Sequence, residues 1–410
     1  MPSPYAALRS LLRQPAFPGL LASTLTLGIA FSFVAPFLSK WGTEEVGMSP
    51  KAFGLFMTVV SLSAIAVSTY LARLSDSRFS RRQMLILGSL GGVFGFAGYA
   101  IIRNPIALVL IGSTLHAVAS ICFAQLFSHV RETYKPDDSS GQNASFLMSV
   151  VRVCFSFAWT LGPAAGSLVL IAYGFRALFL AAAGLYLIFL LGIIRFVPEQ
   201  TIQPQTGSQK IPSLWRTLKR PDLLLCFITF ATVFAANAIN MLNLPLAITR
   251  TLGGTERDFG IIFGIGPLVE IPLMLWFGHL AGKGYQLFLI RLGVAIMALY
   301  YFGLFFAYAP WHVYLLQILS GAGFAILTNV AILFFQDLVP GQMGLATSIF
   351  SNAGAVGNLL GMLSFGFIVE ALGHQNAFSI CAGLSLLALV MILTYRVDRV
   401  PKTSGTHETP

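Results

Sequence analysis

Two stretches of the chain read alike: LGPAAGSLVLIAYGFRALF from Leu161 to Phe179, and LGMLSFGFIVEALGHQNAF from Leu360 to Phe378. At a shift of 199 residues, Gly162 falls on Gly361, Gly174 on Gly373 and Phe179 on Phe378. Phe53-Gly54 with Phe259-Gly260, and Pro105 with Pro310, match at nearly the same shift. Each stretch is an apolar run interrupted by glycine, as in two long helices joined by a tight turn. A repeat of this kind across a chain predicts two similar helical bundles in tandem.

The composition places those bundles in a membrane. Of 410 residues, 56% are hydrophobic and 10% charged, whereas soluble domains carry about 25% charged residues. At about 20 residues per crossing the apolar content supplies roughly eleven or twelve helices. Polar, Gly and Pro punctuation sets them at 17–38, 52–71, 84–102, 106–127, 143–171, 175–196, 223–248, 259–281, 287–308, 313–335, 345–371 and 377–395. A β-barrel would show alternating segments of about ten residues instead. The first span, about 22 residues long, exceeds a signal peptide's apolar region. Cys122, Cys154, Cys226 and Cys381 lie in apolar runs without a CxxC, so neither a disulfide framework nor a metal site is expected. The predicted fold class is therefore all-α and polytopic, with twelve transmembrane helices in two pseudo-symmetric six-helix bundles. The polar stretch PEQTIQPQTGSQKIPSLWRTLKRP from Pro198 to Pro221 reads as the linker. The division is then 1–197 for the first bundle, 198–221 for a cytoplasmic linker, 222–396 for the second bundle and 397–410 for a cytoplasmic tail.

Basic residues resist translocation, so their distribution sets the orientation. With the N-terminus inside, eighteen of the 25 Lys and Arg fall in cytoplasmic segments and six outside, leaving Arg152 within a span. Both termini are expected in the cytoplasm. The net charge of +10 follows from this topology and from attraction to anionic lipid, and it lacks the clustered basic face that nucleic-acid binding needs.

Four features carry chemistry. The loop ARLSDSRFSRR places Asp76 beside Arg78, Arg81 and Arg82 on the cytoplasmic side, where ion pairs can form in one state and break in another. AWTLGPAAG, from Ala158 to Gly166, has the small-residue spacing that lets helices approach closely. Arg152 and Glu270 sit deep in spans five and eight, where a centred charge costs about 2.5 to 3.5 kcal/mol. They read either as a static ion pair or as a coupling or substrate site. Asn237, Asn240 and Asn243 recur every third residue of span seven, covering an arc of about 120°. Gln125, Gln317, Asn329, Asn352 and Asn358 add amides in spans four, ten and eleven. Amides both donate and accept, which suits neutral hydroxyl-rich ligands; the alternative is hydrogen bonding between helices. His116 is expected to pack in the core.

These residues resemble the bacterial sugar efflux transporters of the major facilitator superfamily. The resemblance rests on the Asp76 loop, which departs from GxxxDRxGRR at its first Gly, on Asn237 and Asn243 before Pro245, and on VEIP around Glu270. It rests further on FFQDLVPGQMG from Phe334 to Gly344, and on Ser351-Asn352. It implies export of small sugars, glycosides and non-metabolisable analogues across the bacterial inner membrane, by alternating access and proton antiport. Asn237, Asn240, Asn243, Gln125, Asn329, Asn352 and Asn358 are the expected substrate contacts. Arg152, Glu270, Asp76, Arg78 and Arg82 are the expected coupling or gating groups. No cofactor is expected beyond the proton gradient, and the monomer, in contact with membrane lipid, is the expected functional unit. A multidrug exporter of the same fold is the alternative, favoured by the fifth span and by 13% aromatic residues. An intramembrane enzyme is not expected, because HExxH, GxSxG and GxxxxGK[ST] are absent.

Overall fold

The computed structural model describes residues 16–77, 79–133, 142–198, 219–339 and 342–395. Arg78, most of the 198–221 linker and the 397–410 tail lie outside them, as do the side chains of Asp76 and Arg152.

Among the described residues nine helices are long and apolar enough to cross a membrane. Three of them, Val153–Phe196, Glu256–Phe305 and Leu345–Thr394, run for 44 to 50 residues. At 1.5 Å per residue that is more than twice a hydrocarbon core of about 30 Å. Each breaks once at a glycine in the left-handed region: Gly174 at φ 76°, Gly284 at φ 91° and Gly373 at φ 82°. A side chain at these positions would clash with its own backbone, so the reversal of direction requires Gly. The breaks bring the number of crossings to twelve, as expected.

We label the helices α1 (Phe17–Glu45), α2 (Pro50–Ser77), α3 (Arg81–Ile101), α4 (Pro105–Val130), α5 (142–173) and α6 (175–196). The second half contains α7 (Pro221–Arg250), α8 (Glu256–Leu280), α9 (Gln286–Phe305), α10 (Pro310–Leu338), α11 (343–372) and α12 (374–394). Several helices outlast their apolar runs. α1 continues past Leu38 through a π turn at Trp41–Glu45, where Lys40 and Glu44 form an i,i+4 ion pair of the kind that supports a helix end. Pro105 and Pro310, matched in sequence, both open a helix, where the missing N–H costs nothing.

The repeat is a repeat of packing. Gly162 lies against Ser32 and Phe33 of α1, and its counterpart Gly361 against Ala235 and Ala238 of α7. Between the halves, Gly54 of α2 meets Met362 and Gly366 of α11, while Gly260 of α8 meets Ala164 and Ser167 of α5. Shifting Ser167 by 199 residues lands on Gly366, so the two seams are equivalent. Gly47 and Gly253, each seven residues before one of these seam glycines, both have positive φ. Around this core, large apolar side chains such as Leu168 and Leu275 are mostly exposed, the surface that lipid covers.

Candidate functional site

α7 carries three asparagines inside the membrane, and they have different surroundings. Asn237 is half-buried and makes no hydrogen bond to the described residues. Asn240 is buried; its Nδ2 donates to Tyr300 Oη at 3.5 Å, and its Oδ1 has no partner. Leaving a buried acceptor unmade costs about 1 to 3 kcal/mol. Asn243 is fully buried and doubly engaged by His374, donating to the backbone carbonyl at 2.8 Å and meeting ring Nδ1 at 2.8 Å through Oδ1. His374 follows the Gly373 reversal, so Asn243 fastens the α11–α12 turn to α7.

The other amides are equally varied. Gln125 is buried and accepts from Arg81 Nη1 at 3.0 Å. Asn329 Nδ2 donates to the Met274 carbonyl at 3.1 Å, tying α10 to α8. Asn352 is exposed and Asn358 half-buried on α11, and neither hydrogen-bonds to a described residue. Gly357 packs on Ala231 and Gly361 on Ala235; in that register Asn358 and Asn237 differ in depth by about 7 to 8 Å along neighbouring helices. His116 is half-buried between Phe96 and Tyr99, with ring centroids 4.5 and 4.4 Å away. That is the core packing expected of it.

Among the charged candidates, Glu270 Oε1 lies 3.4 Å from Thr328 Oγ1, on a π turn of α10 spanning Ala325–Val330. Such turns widen a helix locally and recur at functional sites. Arg82 Nη2 donates to the Ile194 carbonyl at 2.9 Å, closing the end of α6 with a cation. Asp76 lies in the last turn of α2. Arg152 lies in α5. Thr160 of α5 faces Gly264 of α8, so eight residues back to Arg152 and six onward to Glu270 descend about 12 and about 9 Å. The two residues occupy similar depths. In AWTLGPAAG, Gly162 and Gly166 abut the α1 backbone and Ala158 accepts a hydrogen bond from Ser32 Oγ at 2.9 Å, so this motif packs helices.

One constellation escaped the sequence reading. Where α1 ends and α8 begins, Lys40 Nζ pairs with Glu256 and lies 3.4 Å from Glu44. Arg250, at the end of α7, meets Glu44 at 3.5 Å and donates to Thr43 Oγ1 at 3.1 Å. On the same side the Lys51 amide donates to Glu370 at 3.1 Å. Phe37 packs on Phe259, ring centroids 5.7 Å apart. Apart from the Lys40–Glu44 pair within α1, these contacts join the halves at the end facing away from the linker and close it. The only sequence signal was the i,i+4 spacing of Lys40 and Glu44, which names neither Glu256 nor Arg250.

Two six-helix halves with repeated seams, joined across one end by ion pairs, are the frame of a membrane transporter. The Major Facilitator Superfamily model matches residues 20–311 and 226–410, and the chain belongs to that superfamily. Within it the chain belongs with the sugar efflux transporters. Sugar efflux transporter A of Dickeya chrysanthemi is 31% identical over 91% of this chain and 93% of its own length. Sugar efflux transporter A of Escherichia coli K12 is 29% identical over 91% and 94%. The crystal structure of the nucleoside transporter NupG superposes with a TM-score of 0.74 at 16% identity, over 93% of this chain and 99% of that one, and shares the fold.

Proposed function

We propose that this protein exports small neutral sugars and glycosides, including non-metabolisable analogues, by alternating access driven by proton antiport. The observation that carries the reading is the kinship with sugar efflux transporters over nine-tenths of the chain. The amide-rich α7 supports it, because hydroxyl-rich ligands need groups that donate and accept. Asn237, Asn352, Asn358 and, through its Oδ1, Asn240 are the amides with hydrogen-bonding capacity to spare; Gln125, Asn329 and Asn243 support them from positions already tied to the scaffold. Arg152 and Glu270 form the proton-coupling pair, and Asp76, Arg78 and Arg82 form the cytoplasmic gate. The protein works as a monomer in the bacterial inner membrane, with both termini in the cytoplasm.

Cells overexpressing the protein should accumulate several-fold less of a radiolabelled thio-galactoside. Unchanged accumulation across several sugars, with verified expression, would sink the sugar reading and favour drug export.

A further inference from the structure

Asn240 and Gln317 lie on different helices, α7 and α10, and the structure joins them through a third. Tyr300, on α9, is 1% exposed. Its Oη accepts from Gln317 Nε2 at 3.2 Å and from Asn240 Nδ2 at 3.5 Å. A phenol oxygen has two acceptor sites, and the two amides fill both. Both amides turn their nitrogens toward Tyr300, and their carbonyl oxygens point away from it. Gln317 Oε1 is directed toward α8, 3.2 Å from where a Cβ on Gly266 would stand. Asn240 Oδ1 is buried without a partner, although Asn240 is only 6% exposed.

We propose that Tyr300 is a positioning residue for sugar recognition: by holding the Asn240 and Gln317 nitrogens, it fixes Asn240 Oδ1 as the acceptor for one substrate hydroxyl. This inference rests on the sugar-export reading. Turning the amide over would give up the Nδ2 bond to Tyr300 and put Nδ2 in the unpartnered place. A site built to receive a hydroxyl rejects the analogue lacking it far more strongly than an apolar pocket does. Tyr300 therefore sets discrimination while touching no substrate.

The test is Tyr300→Phe, which removes one oxygen and keeps the ring. In inverted membrane vesicles loaded by the full-length protein, transport of a radiolabelled thio-galactoside and its singly deoxygenated analogues is compared. The expected result is a KM raised about tenfold for the parent sugar with kcat within twofold of wild type. Discrimination against one deoxy analogue is lost and against the others kept. Asn240→Ala should abolish the same discrimination, and the double variant should be no worse than Asn240→Ala. Thermal unfolding without sugar checks that Tyr300→Phe is folded. Equal losses for every analogue, additive effects of the two substitutions, or an unfolded Tyr300→Phe with unaltered discrimination in Asn240→Ala would assign Tyr300 to packing and overturn the inference. Wild-type vesicles that move none of the sugars would overturn the export reading itself, a result distinct from any of these.

Discussion

The Lys40 ammonium at the end of α1 is held by the Glu256 carboxylate at the start of α8, 216 residues away along the chain. Lys40 also reaches Glu44, and Glu44 in turn reaches Arg250, so two acids and two bases alternate across the boundary between the halves. The side chain of Lys40 is 11% exposed and that of Glu256 34%. Such a pair is screened by water and contributes about 1 kcal/mol. That is enough to shift a two-state equilibrium about fivefold.

Lys40→Met and Glu256→Gln should each move the population about fivefold toward the state open at this end. Spin labels on the outer ends of α2 and α11 would report a longer distance. Raising the salt concentration should move wild type the same way, because exposed ion pairs weaken with screening. An unaltered distance distribution in both variants would show that the apolar seams alone keep this end shut.

Those seams admit a sharper test. A Cβ on Gly366 would stand 2.3 Å from Lys51 Cα and 2.5 Å from the Pro50 carbonyl. Backbone cannot move aside as a side chain can, so Gly366→Val should open the same end more strongly than loss of the ion pair. Export should fall at least tenfold while the protein remains folded by thermal assay. Normal export by Gly366→Val would mean that the halves need not come this close during the cycle.

Asn243 and Asn237 of α7 should separate by phenotype. Asn243→Ala removes two buried hydrogen bonds to His374 and should lower stability by about 1 to 3 kcal/mol with sugar affinity little changed. Asn237→Ala loses no bond to the described residues and should leave unfolding unaltered while weakening sugar binding about tenfold. The opposite pattern in calorimetry and binding would exchange the roles assigned to them.

That contrast shows how far the sequence could be read. The period-three spacing put all three side chains within an arc of about 120° if the segment is helical, and α7 is a helix there. It could not say that Asn243 is consumed by a turn 131 residues later, since that depends on where α12 starts. The glycine alignment was informative for the same physical reason in reverse. A positive-φ turn or a backbone-to-backbone contact admits little but Gly, so Gly174 with Gly373 and Gly54 with Gly260 marked equivalent places before any packing was known. Tyr300 left no such mark: two adjacent tyrosines on an apolar helix have no period, and only α7 and α10 together reveal the use of the first. Lys40 and Glu256 belong to different halves, beyond the reach of any local pattern.

Asp76 closes α2 on the linker side, away from the Lys40 end. Asp76→Asn should therefore slow turnover several-fold while sugar affinity stays within twofold, because the residue is distant from the amides of α7. Collapsed affinity with preserved turnover, measured in the same vesicles, would place Asp76 in the binding site instead.

The similar depths of Arg152 and Glu270 on facing helices of opposite halves make them the proposed link between proton and sugar movement. Arg keeps its proton under all working conditions, so Glu270 is the titrating member. The neighbouring Thr328 hydroxyl, 3.4 Å from Oε1, offers the carboxyl a partner on α10 as the halves rock. In this scheme Glu270 alternates between a charged state facing Arg152 and a protonated state turned toward α10. Glu270→Gln should then abolish proton-driven accumulation in vesicles but retain sugar exchange, which needs no net proton transfer. Arg152→Ala should destabilise more than the double neutral variant, because it leaves a carboxylate within the membrane without the proposed cation opposite it. Additive effects in the double-mutant cycle would falsify direct coupling. Proton-driven accumulation at the wild-type level in Glu270→Gln would move the coupling site elsewhere.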